Sequence, residues 1–158
     1  MLKDWLANAS TFSPMLLCIA ALVGAAVGAV LPLAPTEPLL LGLAAVAPPN
    51  LVLPIAVIGT FGHMCGKVVV YMGSLHAKRV LSPRHQRAVD RARSSMERAP
   101  ALQSLTLVFS GAVGLPPFYG VTVLSGTLGV PLSRFLFFGS IGRLMRFTAV
   151  VMLPGIFS

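Results

Sequence analysis

Apolar residues run through this chain in long uninterrupted stretches, broken by proline and glycine rather than by charge. No Asp, Glu, Lys or Arg occurs between Trp5 and Thr36, between Pro38 and Gly66, or between Ala99 and Ser133. Each stretch exceeds the ~20 residues that cross a bilayer as a helix. The first run, Pro14 to Leu33, is rich in Leu, Ala and Val and reads as a helix. Along it Ala20, Gly24 and Gly28 recur every four residues and make a smooth face of the kind that lets membrane helices approach closely. PLAPTEP, Pro32 to Pro38, then stops regular helix, because proline lacks a donor and restricts the residue before it. Leu39 to Ala47 is apolar but about 14 Å long at ~1.5 Å per residue, too short to span alone. It ends at Pro48, Pro49 and Asn50.

Leu51 to Gly73 is long enough to span, with Gly59, Gly62, Gly66 and Gly73 near one stripe and His63 and Lys67 one turn apart beside it. A polar segment follows, in which Ser82-Pro83 suits a helix start. The apolar pattern resumes at Ala101, breaks at Pro116-Pro117, forms a short arm from Phe118 to Leu128, and breaks again at Gly129 and Pro131. The last span runs from about Leu132 to Leu153.

The two halves correspond at an offset of about 80 residues. Gly59-Thr60-Phe61-Gly62-His63 lies over Gly139-Ser140-Ile141-Gly142-Arg143, the break at Pro48 to Asn50 over Leu128 to Val130, and the turn Pro35 to Pro38 over Leu115 to Phe118. Three matches in one register indicate an internal repeat. Each half is an interrupted apolar hairpin, a break, then a full span in which G-x-x-G precedes a basic residue. Pro35, Pro38, Pro116 and Pro117 mark the hairpin tips.

Composition sharpens this picture. The 158 residues are 56% hydrophobic and 10% charged, with mean hydropathy +0.86, against about 25% charged in an average soluble domain. The net charge of +8 would suit nucleic acid, but its distribution excludes that partner. The excess sits between His76 and Arg98, where Lys78, Arg79, Arg84, Arg87, Arg91, Arg93 and Arg98 face only Asp90 and Glu97. A short basic loop between apolar segments marks the cytoplasmic side and attracts anionic headgroups. Lys3 before an apolar run resembles a signal peptide, but Asp4 offsets the charge and the run is too long, so an uncleaved N-terminus is expected. Cys18 and Cys65 lie in apolar runs and read as small packing residues, with no disulfide and no metal site.

With the loop cytoplasmic, the span ending at Gly73 runs inward and the last span outward, so the halves have opposite topology. The expected fold is an all-α integral membrane protein, an inverted repeat of two re-entrant helical hairpins and spanning helices. Broken helices meeting near the midplane are a recurring transporter plan. The alternative is that Pro14 to Leu33 is itself a full span, which places Glu37 at the outer surface.

PLAPTEPLLLGLAA, GTFGHMCGKVVVYMG and LPPFYGVTVLSGTLGVPLSRFLFFGSIGRLMRF together resemble the DedA/VTT superfamily, also called SNARE-associated Golgi proteins, and above all its short bacterial members. The resemblance runs from about Met15 to Val151. It implies one VTT-type domain over residues 1–158: repeat 1 at about 14–73, a cytoplasmic loop at 74–100 and repeat 2 at about 101–153, in the bacterial inner membrane. It also implies a link to transbilayer movement of phospholipids or polyprenyl phosphates. By resemblance Glu37 matches the acidic residue of the first hairpin, Gly62, Gly66, Tyr71 and Gly73 match the glycine-tyrosine pattern of the following helix, and Arg143 and Arg146 match basic positions on the last helix. Other members carry arginines in the second hairpin, where this chain has GAVGLPPFYG and no charge.

The candidate chemistry follows from charge in apolar sequence. Arg143 lies about 17 Å along the last helix at ~1.5 Å per residue, with Arg146 one turn on. Guanidinium groups at such depth are costly and read as functional, and they bind phosphate bidentately. Glu37 is the one carboxylate available to pair with them, to be displaced by substrate phosphate, or to sit at a helix start. His63 reads as a packing hydrogen bond or a titrating group, Lys67 as a side chain reaching the cytoplasmic interface, and Tyr119 as an interface or gate residue. Gly24, Gly28, Gly62 and Gly66 are the expected packing glycines, and their faces leave room for a homodimer.

The leading expectation is a translocase or scramblase for phosphate-bearing lipids, with membrane lipids as partners, no nucleic acid and no cofactor or metal. The alternatives are a non-transporting membrane homeostasis or assembly protein and a proton-coupled small-ion transporter. An intramembrane phosphatase would need a carboxylate cluster or an activated nucleophile, and the residues offer Glu37 alone; no enzyme is expected.

Overall fold

The computed structural model of the chain describes residues 13–31, 36–77 and 83–156. Lys3, Asp4, Pro35, Lys78 and Arg79 lie outside them. Seven helices, and no strand, occur among the described residues: α1 (Pro14–Val30), α2 (Thr36–Val46), α3 (Pro49–Ala77), α4 (Pro83–Glu97), α5 (Pro100–Val113), α6 (Phe118–Leu128) and α7 (Leu132–Ile156). Each half therefore reads arm, short arm, long helix. The arms have 17 and 11 residues in the first half and 14 and 11 in the second.

Proline and glycine set the ends. Pro14 and Pro100 occupy first turns, where a missing N–H leaves no bond unmade. α5 stops at Gly114 (φ 87°) and α6 at Gly129 (φ 68°), left-handed positions that suit glycine. After Gly129 the Val130 amide donates to the Ser125 carbonyl at 2.9 Å, and Gly129 donates to Gly126 at 3.1 Å, which satisfies two of the terminal carbonyls of α6. The sequence placed the start of the first short arm at Leu39. The helix begins instead at Thr36, with Pro38 in its first turn, since proline breaks helix interiors and not beginnings. Pro54 stands inside α3 one turn past its start, with little helix ahead of it to disrupt.

The chain divides into two compact units: residues 1–66 with 144–158, and residues 67–143. In the first, Ala21, Leu40, Ala44, Ile55, Ala56, Phe147 and Val151 form the core. The buried stripe of α1 is Leu17, Ala21, Ala25 and Ala29, one position along from the expected Ala20, Gly24 and Gly28, which are half-exposed. Gly24 instead leaves room for the Leu39 side chain. Gly62 and Gly66 bring α3 against the backbone carbonyls of Leu22 and Ala26 on α1, so close that a Cβ would clash.

In the second unit Gly142 of α7 meets α5 in the same manner, at the Val108 carbonyl and Gly111. Tyr71, Phe135 and Phe118 stack in sequence, with ring centroids 5.3 and 6.1 Å apart, and the Tyr71 hydroxyl donates to the Val130 carbonyl. α4 packs on α5 and α6. Hydroxyls on the apolar helices bond back to their own turn: Thr60 donates to Ala56 and Thr122 to Phe118, at 2.7 and 2.8 Å. Such groups need no water.

Two helical stretches, Pro49–His76 and Leu132–Leu153, are long and apolar enough to cross a membrane. Many bulky apolar side chains point outward, among them Met15 (71% exposed), Leu102 (65%) and Phe137 (63%).

The close glycine approaches give a first prediction. Gly66→Ala forces a methyl against the Ala26 carbonyl and should destabilise the purified protein by about 1–3 kcal/mol. Gly73→Ala, with nothing within 4 Å, should be neutral or stabilising by about 0.5–1 kcal/mol. Thermal melts of the two variants check the contrast.

Candidate functional site

Several of the polar side chains buried among these apolar helices, Thr36, His63, Lys67 and Arg143, lie at the first turns of the two short helices. At the start of α2, Thr36 is buried and Glu37 follows it into the first turn, where the helix dipole favours a carboxylate. Arg146 of α7 donates from Nε to Glu37 Oε1 at 2.8 Å, the two side chains being 30% and 25% exposed. Thr36 Oγ1 shares a hydrogen bond with Nδ1 of the buried His63 at 3.4 Å. The His63 ring stands edge-on to Phe147, 5.4 Å between centroids. This cluster belongs wholly to the first unit.

The second unit holds a counterpart at the start of α6. The Arg143 guanidinium lies 4.5 Å from the Phe118 ring centroid, and the Lys67 ammonium 4.5 Å from that of Tyr119. Phe118 and Tyr119 are the first two residues of α6, as Thr36 and Glu37 are of α2. The basic residue after each G-x-x-G, His63 or Arg143, touches the first residue of the short helix of its own half. The second residue is met from the other half's long helix, Glu37 by Arg146 and Tyr119 by Lys67. Cations meet a carboxylate in one cluster and aromatic faces in the other.

Of the residues read from the sequence, Glu37, Arg146 and His63 are brought together. Arg143 and Tyr119 lie in the second cluster, so the two arginines, expected as one phosphate-holding pair, have separate partners. Lys67 was expected at an interface; it is 3% exposed, its ammonium over an aromatic ring. Pro38 sits in the first turn of α2, and Pro116-Pro117 directly precede α6. Thr36, Phe118 and Phe147 were not singled out from the sequence. Their one signal is position, as neighbours of a hairpin break or of a buried base.

A carboxylate bound to a partly exposed guanidinium is open to replacement by another oxyanion, phosphate above all. Among the described residues no group of His, Cys, Asp and Glu comes together as a metal site.

No family model, curated protein or solved structure matches this chain.

Substitutions at Tyr119 test the aromatic contact. Tyr119→Phe keeps the π face and should leave stability within about 0.5 kcal/mol, whereas Tyr119→Leu should lose about 0.5–2 kcal/mol. Equal melting temperatures for the two variants would assign Lys67 to some other contact.

Proposed function

We propose that the chain is a short DedA/VTT-type protein of the bacterial inner membrane, with its basic segment 74–100 cytoplasmic, which moves phosphate-bearing lipids between leaflets. An outward surface of bulky apolar side chains supports membrane insertion, since soluble monomers rarely carry large apolar patches. The lengths of the arms support re-entrant hairpins. At ~1.5 Å per residue α2 and α6 reach about 16 Å and α5 about 21 Å, short of the ~30 Å hydrocarbon core, while the 17 residues of α1 stand at the lower limit of a span.

The observation that carries the function is the Glu37–Arg146 ion pair, which joins two apolar helices, α2 and α7. Ionised groups at membrane depth are costly and mark substrate pathways. In the proposed cycle an incoming headgroup phosphate displaces the Glu37 carboxylate from Arg146 and binds the guanidinium through two parallel N–H donors. Return of Glu37 then releases the lipid. The acid is thus a built-in competitor that keeps the phosphate from binding too tightly to leave. The reaction makes and breaks no covalent bond.

Exchange of a fluorescent phosphatidylglycerol between leaflets of proteoliposomes tests the reading. Arg146→Ala should slow exchange at least about tenfold, the equivalent of one charge-assisted hydrogen bond or more, and Arg146→Lys should keep part of it. Glu37→Gln should slow release and so slow exchange as well. Wild-type rates in Arg146→Ala and Glu37→Gln, both folded, would reject this site.

A further inference from the structure

A second polar place lies in the 67–143 unit, at the opposite end of α6 from Phe118 and Tyr119. Arg93 of α4, Gln103 of α5 and Arg134 of α7 line a pocket of about 320 Å³, floored by Gly129, Val130 and Pro131. Arg134 donates to Gln103 Oε1 at 2.7 Å, and the buried Gln103 thereby fixes the direction of the guanidinium. Among the described residues, none that lines the pocket is acidic. The first amides of α7, which opens directly after Pro131 of this lining, have no intrahelical partner. The pocket is therefore positive, rich in donors, and of a size that holds a small polar group.

A groove adjoins it. Ala101, Leu105 and Val108 of α5 and Phe138 of α7 line an apolar trough of about 500 Å³, and Pro100 and Arg134 belong to both hollows. Arg134 stands at the boundary, and the Ser104 hydroxyl on the trough side donates to the Pro100 carbonyl at 3.1 Å. A head with a negative charge joined to a hydrocarbon tail fits that sequence of surfaces, and a soluble anion would leave the trough empty. The repeat offers no equivalent: 80 residues earlier, Arg93, Gln103 and Arg134 correspond to Ser13, Val23 and Pro54. The pocket is thus a device of the half that follows the basic segment. Arg134 is in the first turn of α7, at one end of a candidate span, which is headgroup depth in a bilayer.

We infer that this hollow is a binding site for one anionic phospholipid, its phosphate held by Arg93 and Arg134 and one acyl chain laid along α5 and α7. The inference rests on the membrane reading above but not on the Glu37–Arg146 pair. The lipid is held at the surface that faces the basic segment, where it either waits for transfer or stays as a fixed structural lipid.

Binding of short-chain phosphatidylglycerol to the detergent-purified full chain tests it, measured by native mass spectrometry and titration. Arg93→Gln/Arg134→Gln should weaken binding at least about tenfold, and Arg87→Gln, on α4 at an exposed position outside this hollow, should not. Leu105→Trp, which fills the trough and leaves the arginines in place, should weaken it too. Arg93→Gln alone, at an exposed position, should give a smaller loss and serves if the double variant does not fold. Glycerol 1-phosphate should bind far more weakly than the lipid. Unchanged lipid affinity in Arg93→Gln and the double variant would overturn the site, as would glycerol 1-phosphate binding as tightly as the lipid. The exchange assay at Arg146 reads independently of either result.

Discussion

A helix that ends inside an apolar body leaves backbone donors and acceptors that must be met, and this constraint shapes the chain. α2 and α6 have 11 residues each. Their ends cannot all reach water if they enter a bilayer only part way, and an unmet polar group there costs several kcal/mol. The carbonyl end of α6 is closed locally, by left-handed Gly129 and by the Gly129 and Val130 amides, which donate to the Gly126 and Ser125 carbonyls. At the amino ends of both short helices the polar and charged side chains collect. Glu37, Thr36, His63 and Arg146 stand at one, and Lys67 and Arg143 stand against aromatic rings at the other.

Close packing makes these placements reproducible. Without a hydrophobic drive between helices in lipid, association depends on backbone proximity and van der Waals fit. Gly62 and Gly66 set α3 against α1, and Gly142 sets α7 against α5. Each fixes the height at which the following basic residue, His63 or Arg143, meets its short helix. The glycine motif and the charged motif are in this sense one device: the first sets the register that the second uses.

Much of this was legible in the residues. The arm Phe118–Leu128 and the start of the last helix at Leu132 follow from prolines and glycines that permit little else. Proline in a first turn is permissive, which is why α2 begins before the place that PLAPTEP suggested. On α1 the Ala20-Gly24-Gly28 row and the Ala21-Ala25-Ala29 row are both small, so composition could not say which one faces inward; the Leu39 side chain, seated against Gly24, takes up the first. Lys67 was read as an interface residue because nothing in a linear sequence announces that Tyr119 comes over its ammonium. Partner choice at Arg143 and Arg146 had the same limit. Spacing puts both on one side of a helix, but which ring or carboxylate meets each is decided by tertiary contact. Arg134 and Gln103 drew no notice, since an arginine at the edge of a span ordinarily reads as an anchor.

The account stands on the first hairpin entering and leaving the membrane by the same face, so that Glu37 comes to rest at depth. Single cysteines at Ser13 and Asn50, either side of α1 and α2, test this most directly, in a background with Cys18 and Cys65 replaced and with Ser94→Cys as the reference for the basic segment. A membrane-impermeant maleimide should label Ser13→Cys and Asn50→Cys from one face and Ser94→Cys from the other. Labelling of Ser13→Cys and Asn50→Cys from opposite faces would mean that the hairpin crosses the bilayer, and would contradict the account.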